Sequence, residues 1–403
     1  MIEINKNVVF VQGVLNGAIY DFNFNKVYSI NEDACNIINK LKNNSSQYSD
    51  TEKNYVEVLK KNNLLSDAWV LKEYYPENKK DIELNLVWLE ITQACNLRCV
   101  HCYEGDIHKA STKHLSLDEW KKVIDEINEL KVKRVVVIGG EPCCSNQLVD
   151  ILEYLSKYKI NTTLFTNGTL FNEKLFETII NNNISVKFSL YGHNEKIHDN
   201  ITKVNGSFNK LMNTVERLLV ANIKVDIAVV AMKENQEYQN DIKQLIDKLG
   251  VKYNGYDVIR NVFGGTQNLH TPNKIEILNS SIMYKPSFTT TKKRFDELVQ
   301  RNSCWYGKIV INEEGFVLPC VFERNITYGN VKEESVIDIM KSDKLLEHWF
   351  LDYSKINTCC DCEYRFACKD CRPVAISVNG NITDKNPRCL YNPYKGIWKG
   401  KYE

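Results

Sequence analysis

The 403-residue chain contains no apolar run long enough to span a membrane as a helix, which excludes an ordinary transmembrane segment. It also lacks a strong charge of either sign: 52 Lys+Arg face 51 Asp+Glu, a formal net charge of +1. No global field therefore draws it to nucleic acid or to a membrane surface. Its opening residues, MIEINKNVVF, show no basic stretch followed by an apolar one, so no secretory signal is read there and a cytoplasmic location is expected. Residues 1–80 lack arginine altogether, and their ten lysines are balanced by ten acidic residues. That balance argues against phosphate recognition by this segment. No internal repeat stands out beyond an alternation of strands and helices.

Cysteine, by contrast, is abundant: there are fourteen. In a cytosolic chain, clustered thiols read as metal ligands rather than disulfides, and scattered ones as core filling. Two sets are clustered, at 95–102 and between 304 and 389. The length suggests two or three domains. Residues 1–75 carry short β-like runs (NVVFVQGV, GAIYDF, KVYSI) and then helical periodicity, with Asn31 as a plausible N-cap and Ala34, Ile37, Ile38 and Leu41 on one face. A polar, proline-containing linker follows, assigned to 76–85. From residue 86 six strand patterns alternate with helical ones: 86–91, 134–139, 162–167, 185–190, 225–231 and 256–260. Their Val/Ile/Leu/Phe-rich cores fit a parallel sheet covered on both faces, hence an α/β fold with a partial (β/α)6 TIM-type barrel over 86–295. Residues 296–403 read as irregular, cysteine-rich and loop-dominated.

ITQACNLRCVHCYEG follows directly on the first of these strands, in a βα loop at its C-terminal end, where barrel enzymes keep their chemistry. The spacing Cys95-x3-Cys99-x2-Cys102 suits three corners of a [4Fe–4S] cubane with one iron left open. A zinc site completed by His101 or His108 is the alternative, although zinc sites usually use other spacings. The strand, the loop and the barrel together resemble the radical S-adenosylmethionine (radical SAM) enzymes. The resemblance implies that SAM binds the open iron and is cleaved to a 5′-deoxyadenosyl radical. It implies a role for the IGGEP stretch after the second strand: Gly139, Gly140, Glu141 and Pro142 would meet the methionine moiety, with Glu141 attracting its ammonium group. It further implies that Asn167 and Ser189, at the ends of the third and fourth strands, hydrogen-bond the SAM ribose or carboxylate, the alternative being strand-end turn chemistry. The residue before the third cysteine is usually aromatic and packs near the adenine; here it is His101, with Tyr103 one place beyond. Arg260 could pair with a carboxylate. Cys143 and Cys144 are expected to be packed thiols, the alternative being that one of them faces the substrate.

Cys304, Gly315 and Cys320, followed by Cys359-x2-Cys362-x5-Cys368-x2-Cys371 and Cys389, resemble the SPASM domain. That family usually has three residues before the last close cysteine, where this chain has two. The resemblance implies up to two auxiliary [4Fe–4S] clusters. Cys359, Cys362, Cys368 and Cys389 would hold one. Cys304, Cys320 and Cys371 would hold the other, which would keep an open iron that a substrate thiolate could fill. Cys360 is left over. A pair of structural zinc ribbons is the competing reading.

Residues 1–75 resemble PqqD-like peptide-recognition domains, a winged-helix-like α+β architecture that binds the leader of a ribosomally made precursor peptide. Strand addition is the expected mode. A DNA reader and a dimerisation module compete for the same topology. Together these resemblances imply a radical SAM/SPASM peptide maturase. It would cross-link a precursor peptide through a thioether or a carbon–carbon bond and draw electrons from a flavodoxin- or ferredoxin-type donor. An anaerobic sulfatase-maturing, formylglycine-forming enzyme is the second reading. A zinc-binding, winged-helix DNA-binding protein is the third.

Overall fold

The computed structural model describes residues 1–43, 47–66, 71–76, 82–103, 111–260, 269–274 and 287–398. The chain forms two compact units, each assembled from distant parts of the sequence. The first comprises Met1–Asp81, Met283–Tyr306 and His348–Glu403; the second comprises Ile82–Ile282 and Gly307–Glu347.

The first unit is built on an antiparallel sheet of β1 (Ile2–Asn5), β2 (Val8–Gln12), β3 (Gly17–Asp21), β4 (Lys26–Ile30) and β5 (Lys72–Glu73), in the order β4-β3-β2-β1-β5. The run VVFV is apolar without a break because the sheet is buried on both sides. Val8 and Phe10 face the helices Glu32–Lys42 and Asp50–Lys61, packing on Cys35, Ile38, Leu41, Val56 and Leu59. Val9 and Val11, with Tyr20 and Val27, face Phe295, Tyr353, Tyr364, Phe366 and Tyr391. Asn31 caps the first helix as expected, its side chain accepting from the Ala34 N–H at 3.0 Å. Ser49 and Glu52 form a reciprocal capping box on the second. Strands β1 and β5 escaped the sequence reading: IEIN is short, and KE is held only by pairing with β1.

The second unit holds β6 (Leu86–Glu90), β7 (Arg134–Ile138), β8 (Asn161–Thr166), β9 (Ser185–Leu190), β10 (Val225–Ala231) and β11 (Tyr256–Val258), all parallel and in sequential order. Helices Leu117–Glu129, Leu148–Leu155, Glu173–Asn181, Ser207–Val220 and Gln239–Leu249 connect them, as their periodicity predicts. β6 does not close onto β11. It pairs instead with β12 (Lys308–Ile311), again parallel, followed by antiparallel β13 (Phe316–Leu318) and β14 (Gly329–Asn330). This corrects the expectation that the chain turns loop-dominated after about 300. KIVI is four residues of nearly pure apolar character, and Ile309, Val310 and Ile311 are fully buried against the barrel edge. Its hairpin to β13 turns at Gly315, whose φ of +92° suits glycine. The strands β7 to β10 also alternate buried with half-buried positions rather than being covered on both faces. The half-buried positions Ile138, Phe165 and Ser189 look into a cavity.

Candidate functional site

The loop after β6 is shaped by its backbone. Gly140 N–H donates to Thr92 O at 2.7 Å, and Glu141 N–H to Ala94 O at 2.8 Å. A Cβ on Gly139 would stand 2.3 Å from Thr92 O, and one on Gly140 2.4 Å from Gln93 O. The close approach that demands these glycines is therefore to the cysteine loop itself. Farther on, Arg98 N–H donates to Thr202 O and Val100 N–H to Ile201 O. Those carbonyls end the helix Glu195–Thr202, an element the sequence reading did not place, and would otherwise lack partners. Glu313, in the β12–β13 turn and 1 % exposed, accepts from Gln93 N–H at 3.0 Å and Ser111 N–H at 2.7 Å. One carboxylate thus clamps both flanks of the loop.

These constraints gather Cys95, Cys99 and Cys102 around a cavity of about 150 Å³, together with His101, Tyr103, Gly140, Glu141, Asn167, Ser189 and Tyr191. Gly139 and Pro142 stand behind its wall: Gly139 against Thr92, and Pro142 buried at the start of the turn Pro142–Cys144. Glu141 is 1 % exposed and accepts from Thr166 Oγ1 at 2.6 Å, Asn167 N–H at 2.7 Å and Cys143 N–H at 3.0 Å. Burial raises its carboxyl pKa and these donors oppose the rise. Asn167 is engaged in turn chemistry: its Oδ1 accepts from Thr169 N–H and Oγ1, and its Nδ2 donates to Asn96 Oδ1 at 2.9 Å. Ser189 stands beside the Tyr191 phenol, on the wall of the same cavity. His101 sits edge-on to Tyr191 at 4.5 Å, and Tyr191 stacks on His198 at 5.6 Å. Burial lowers the His101 pKa to about 4, so the ring is neutral, and its buried Nδ1 has no hydrogen-bond partner among the described residues. His108 lies outside the described residues. Arg260 pairs with Asp257, three residues back. Cys143 is held near Thr166 at 3.7 Å, while Cys144 is exposed rather than packed.

Among the described residues no group of three or more His, Cys, Asp or Glu could hold a metal ion. The cysteines surround cavities instead. Burial, reinforced by the neighbouring thiols, raises the Cys99 pKa, and burial raises that of Cys95 to about 11. Thiols buried in the manner of Cys95 and Cys99 give up their protons beside a strong positive centre, which an iron–sulfur cluster supplies. The donor set and the unpartnered His101 nitrogen fit a cluster and an adjoining polar ligand.

In the first unit Cys359, Cys362, Cys368 and Cys389 line a second cavity of about 30 Å³, with Tyr353, Arg365, Lys385 and Tyr391. Burial raises the pKa of Cys359 to about 12 and carries Cys362 and Cys368 higher. Four thiolates around a cluster leave a net negative charge, which Arg365 and Lys385 suit. Arg365 also donates to Cys362 O at 2.5 Å and to Gln12 O at 3.2 Å, tying the cysteine turn to β2. Of the other implied set, Cys304 and Cys371 belong to the first unit and Cys320 to the second. Cys371 immediately precedes the helix Arg372–Asn379, whose Arg372 N–H donates to Cys304 Sγ at 3.3 Å. Cys360 lies outside the four-cysteine cavity lining. Tyr191, Glu313 and the helix Glu195–Thr202 carry no motif of their own. Only the position of Tyr191, just past Ser189, could have drawn attention to it.

Comparison with known proteins agrees with this geometry. Residues 89–249 match the radical SAM superfamily, and residues 303–372 match SPASM, described as an iron–sulfur cluster-binding domain. The AdoMet-dependent heme synthase of Methanosarcina barkeri is 24 % identical over 340 residues, 77 % of this chain and 97 % of that protein. The antilisterial bacteriocin subtilosin biosynthesis protein AlbA of Bacillus subtilis is 26 % identical over 304 residues, covering 72 % of this chain and 67 % of that one. The fold is also similar to that of Streptococcus suis SuiB, solved bound to precursor peptide SuiA, with a TM-score of 0.61 and 18 % identity over 97 % of this chain and all of the other. Among the described residues no helix is long and apolar enough to cross a membrane. The zinc-scaffold reading gives way to these matches: the chain is an enzyme that carries a radical SAM domain over residues 89–249 and an iron–sulfur cluster-binding SPASM domain over residues 303–372.

Proposed function

We propose that this enzyme modifies a ribosomally made precursor peptide by joining two of its side chains through a thioether or carbon–carbon bond. With SAM and the reduced barrel cluster bound, the cofactors supply an organic radical able to take a hydrogen atom from the peptide. Cys95, Cys99 and Cys102 hold that cluster, and the electron comes from an external flavodoxin- or ferredoxin-type donor. Glu141 and Ser189 would orient SAM, with Asn167 shaping the turn beside them, and the buried His101 Nδ1 would be available to bond it. The cysteines at 359, 362, 368 and 389 hold one auxiliary cluster. A second auxiliary cluster of the kind that the SPASM resemblance implies would offer a peptide thiolate an open iron.

One observation carries the peptide reading. An α+β sheet lies outside both family matches and ends in the edge strand β4, with Tyr28 37 % exposed. The Lys26 end of that edge already pairs with Thr289, so an added peptide strand would run beyond it. A solved relative by fold, SuiB, is described as bound to its precursor peptide, and AlbA by its name serves subtilosin biosynthesis.

The test is co-expression with a short cysteine-bearing peptide encoded beside the gene, read by mass spectrometry. Loss of two hydrogens per link supports the reading. A Cys or Ser converted to formylglycine would select the sulfatase-maturing alternative. An unchanged peptide would overturn the proposal.

A further inference from the structure

The Glu90–Arg324 pair in the barrel unit is absorbed by neither the motifs nor the assigned ligands. Glu90 is the last residue of β6 and stands just before the cysteine loop. Its side chain is 1 % exposed, and both of its oxygens are taken by one guanidinium: Arg324 Nη1 at 2.5 Å and Nη2 at 2.6 Å. Such a fork fixes the direction of both groups. Arg324 is delivered by a tight turn in which Glu323 N–H donates to Cys320 O at 3.1 Å. Its guanidinium lies over the Tyr103 ring, 5.8 Å from the centroid. Tyr103 follows Cys102 directly and lines the cavity, and its ring meets Phe322 edge-on at 5.2 Å. Arg260 then covers Phe322 at 4.6 Å. The two arginines and two aromatic rings form one chain of contacts that reaches the cavity through Tyr103.

We propose that Arg324 is a positioning residue for the reductive step: clamped by Glu90, it fixes Tyr103 against the cavity and holds an oriented charge pair beside the barrel cluster. The inference rests on Cys102 being a ligand of that cluster. Burial works against the Arg324 charge, but Glu90, Tyr103 and Cys102 together more than offset it, so the guanidinium is held above its ordinary pKa. Reducing a [4Fe–4S] cluster adds one negative charge. A guanidinium close by favours the reduced form and a carboxylate disfavours it, charge and polar contacts being the protein's levers on cluster potential. A pair that served only to hold the fold would leave SAM affinity unchanged when either half is neutralised.

The experiment compares anaerobically reconstituted Glu90→Gln, Arg324→Gln and the double variant, with the barrel-cluster potential read by EPR-monitored redox titration and SAM affinity read by its effect on the EPR signal. Glu90→Gln is expected to raise the midpoint, Arg324→Gln to lower it, and the double variant to return near wild type. SAM should bind less tightly in all three, because Tyr103 loses its support. If Arg324→Gln fails to fold with Glu90 left unpaired, Glu90→Gln still decides: a midpoint that does not rise overturns the proposal. Shifts of the same sign in both single variants overturn it as well. Cys102→Ala checks the ligand assignment separately, through loss of the SAM-responsive signal.

Discussion

Glu313 offers a sharp test of how the cysteine loop is held. Its carboxylate is 1 % exposed and receives the Gln93 and Ser111 amides at 3.0 and 2.7 Å, one on each flank of the loop. A hydrogen bond to a charged acceptor contributes about 1.5–3 kcal/mol. Glu313→Ala removes two, so closing the loop costs about 3–6 kcal/mol more, less whatever is recovered by no longer burying a carboxylate. Glu313→Gln keeps one acceptor oxygen and should lose about half. The central β strands keep their own packing, so the loss is expected to be local opening rather than global unfolding. Hydrogen exchange at Gln93 and Ser111 should accelerate by about tenfold or more in the Gln variant, and more still in the Ala variant. Iron in the anaerobically purified enzyme should fall from about twelve per chain toward about eight, the loss of one cubane. Unchanged exchange at both amides together with full iron would refute the clamp.

Two further perturbations follow from the packing. Gly140→Ala places a Cβ 2.4 Å from Gln93 O and 2.7 Å from Ala94 O, backbone atoms that cannot rotate away. Thermal unfolding should come several degrees earlier, at about 1–3 kcal/mol of overpacking, whereas Gly206→Ala, with φ +77° but open space, should cost only about 1 kcal/mol of backbone strain. His198 is 1 % exposed, its Nδ1 accepts from Tyr191 N–H, and burial lowers its pKa to about 4. The unfolded chain binds that proton near pH 6.5 and the native chain does not. Stability should therefore fall as pH drops from 6.5 to 4, by at most ~3 kcal/mol from this group. Denaturant titrations of His198→Gln should show a shallower decline over that window; an identical slope would count against the assignment.

Much of the barrel site is legible from local pattern. The six parallel strands announce themselves through short β-branched runs, and the three cysteines through spacing directly after the first strand. Glycines 139 and 140 read as residues that meet the methionine moiety, whereas the contact that requires glycine there is with the backbone of the cysteine loop. What the sequence hides is set by long-range contact. Nothing in KIVI says that it pairs with Leu86–Leu89, more than two hundred residues earlier. Nothing in VVFV says that one of its faces packs beside the turn carrying Cys359, Cys362 and Cys368. Glu313 and Arg324 are ordinary surface-type residues until the fold buries their partners. Asn167 illustrates the converse: its strand-end position drew attention to SAM, and its side chain is already engaged with Asn96 and Thr169.

The most direct measurement is 5′-deoxyadenosine formed by the anaerobic enzyme with SAM and dithionite, compared between wild type and Cys99→Ala. The account predicts a brown wild-type protein that releases 5′-deoxyadenosine and a Cys99→Ala variant that releases none while keeping the iron of its auxiliary clusters. A colourless zinc protein, or undiminished release from Cys99→Ala, would contradict it.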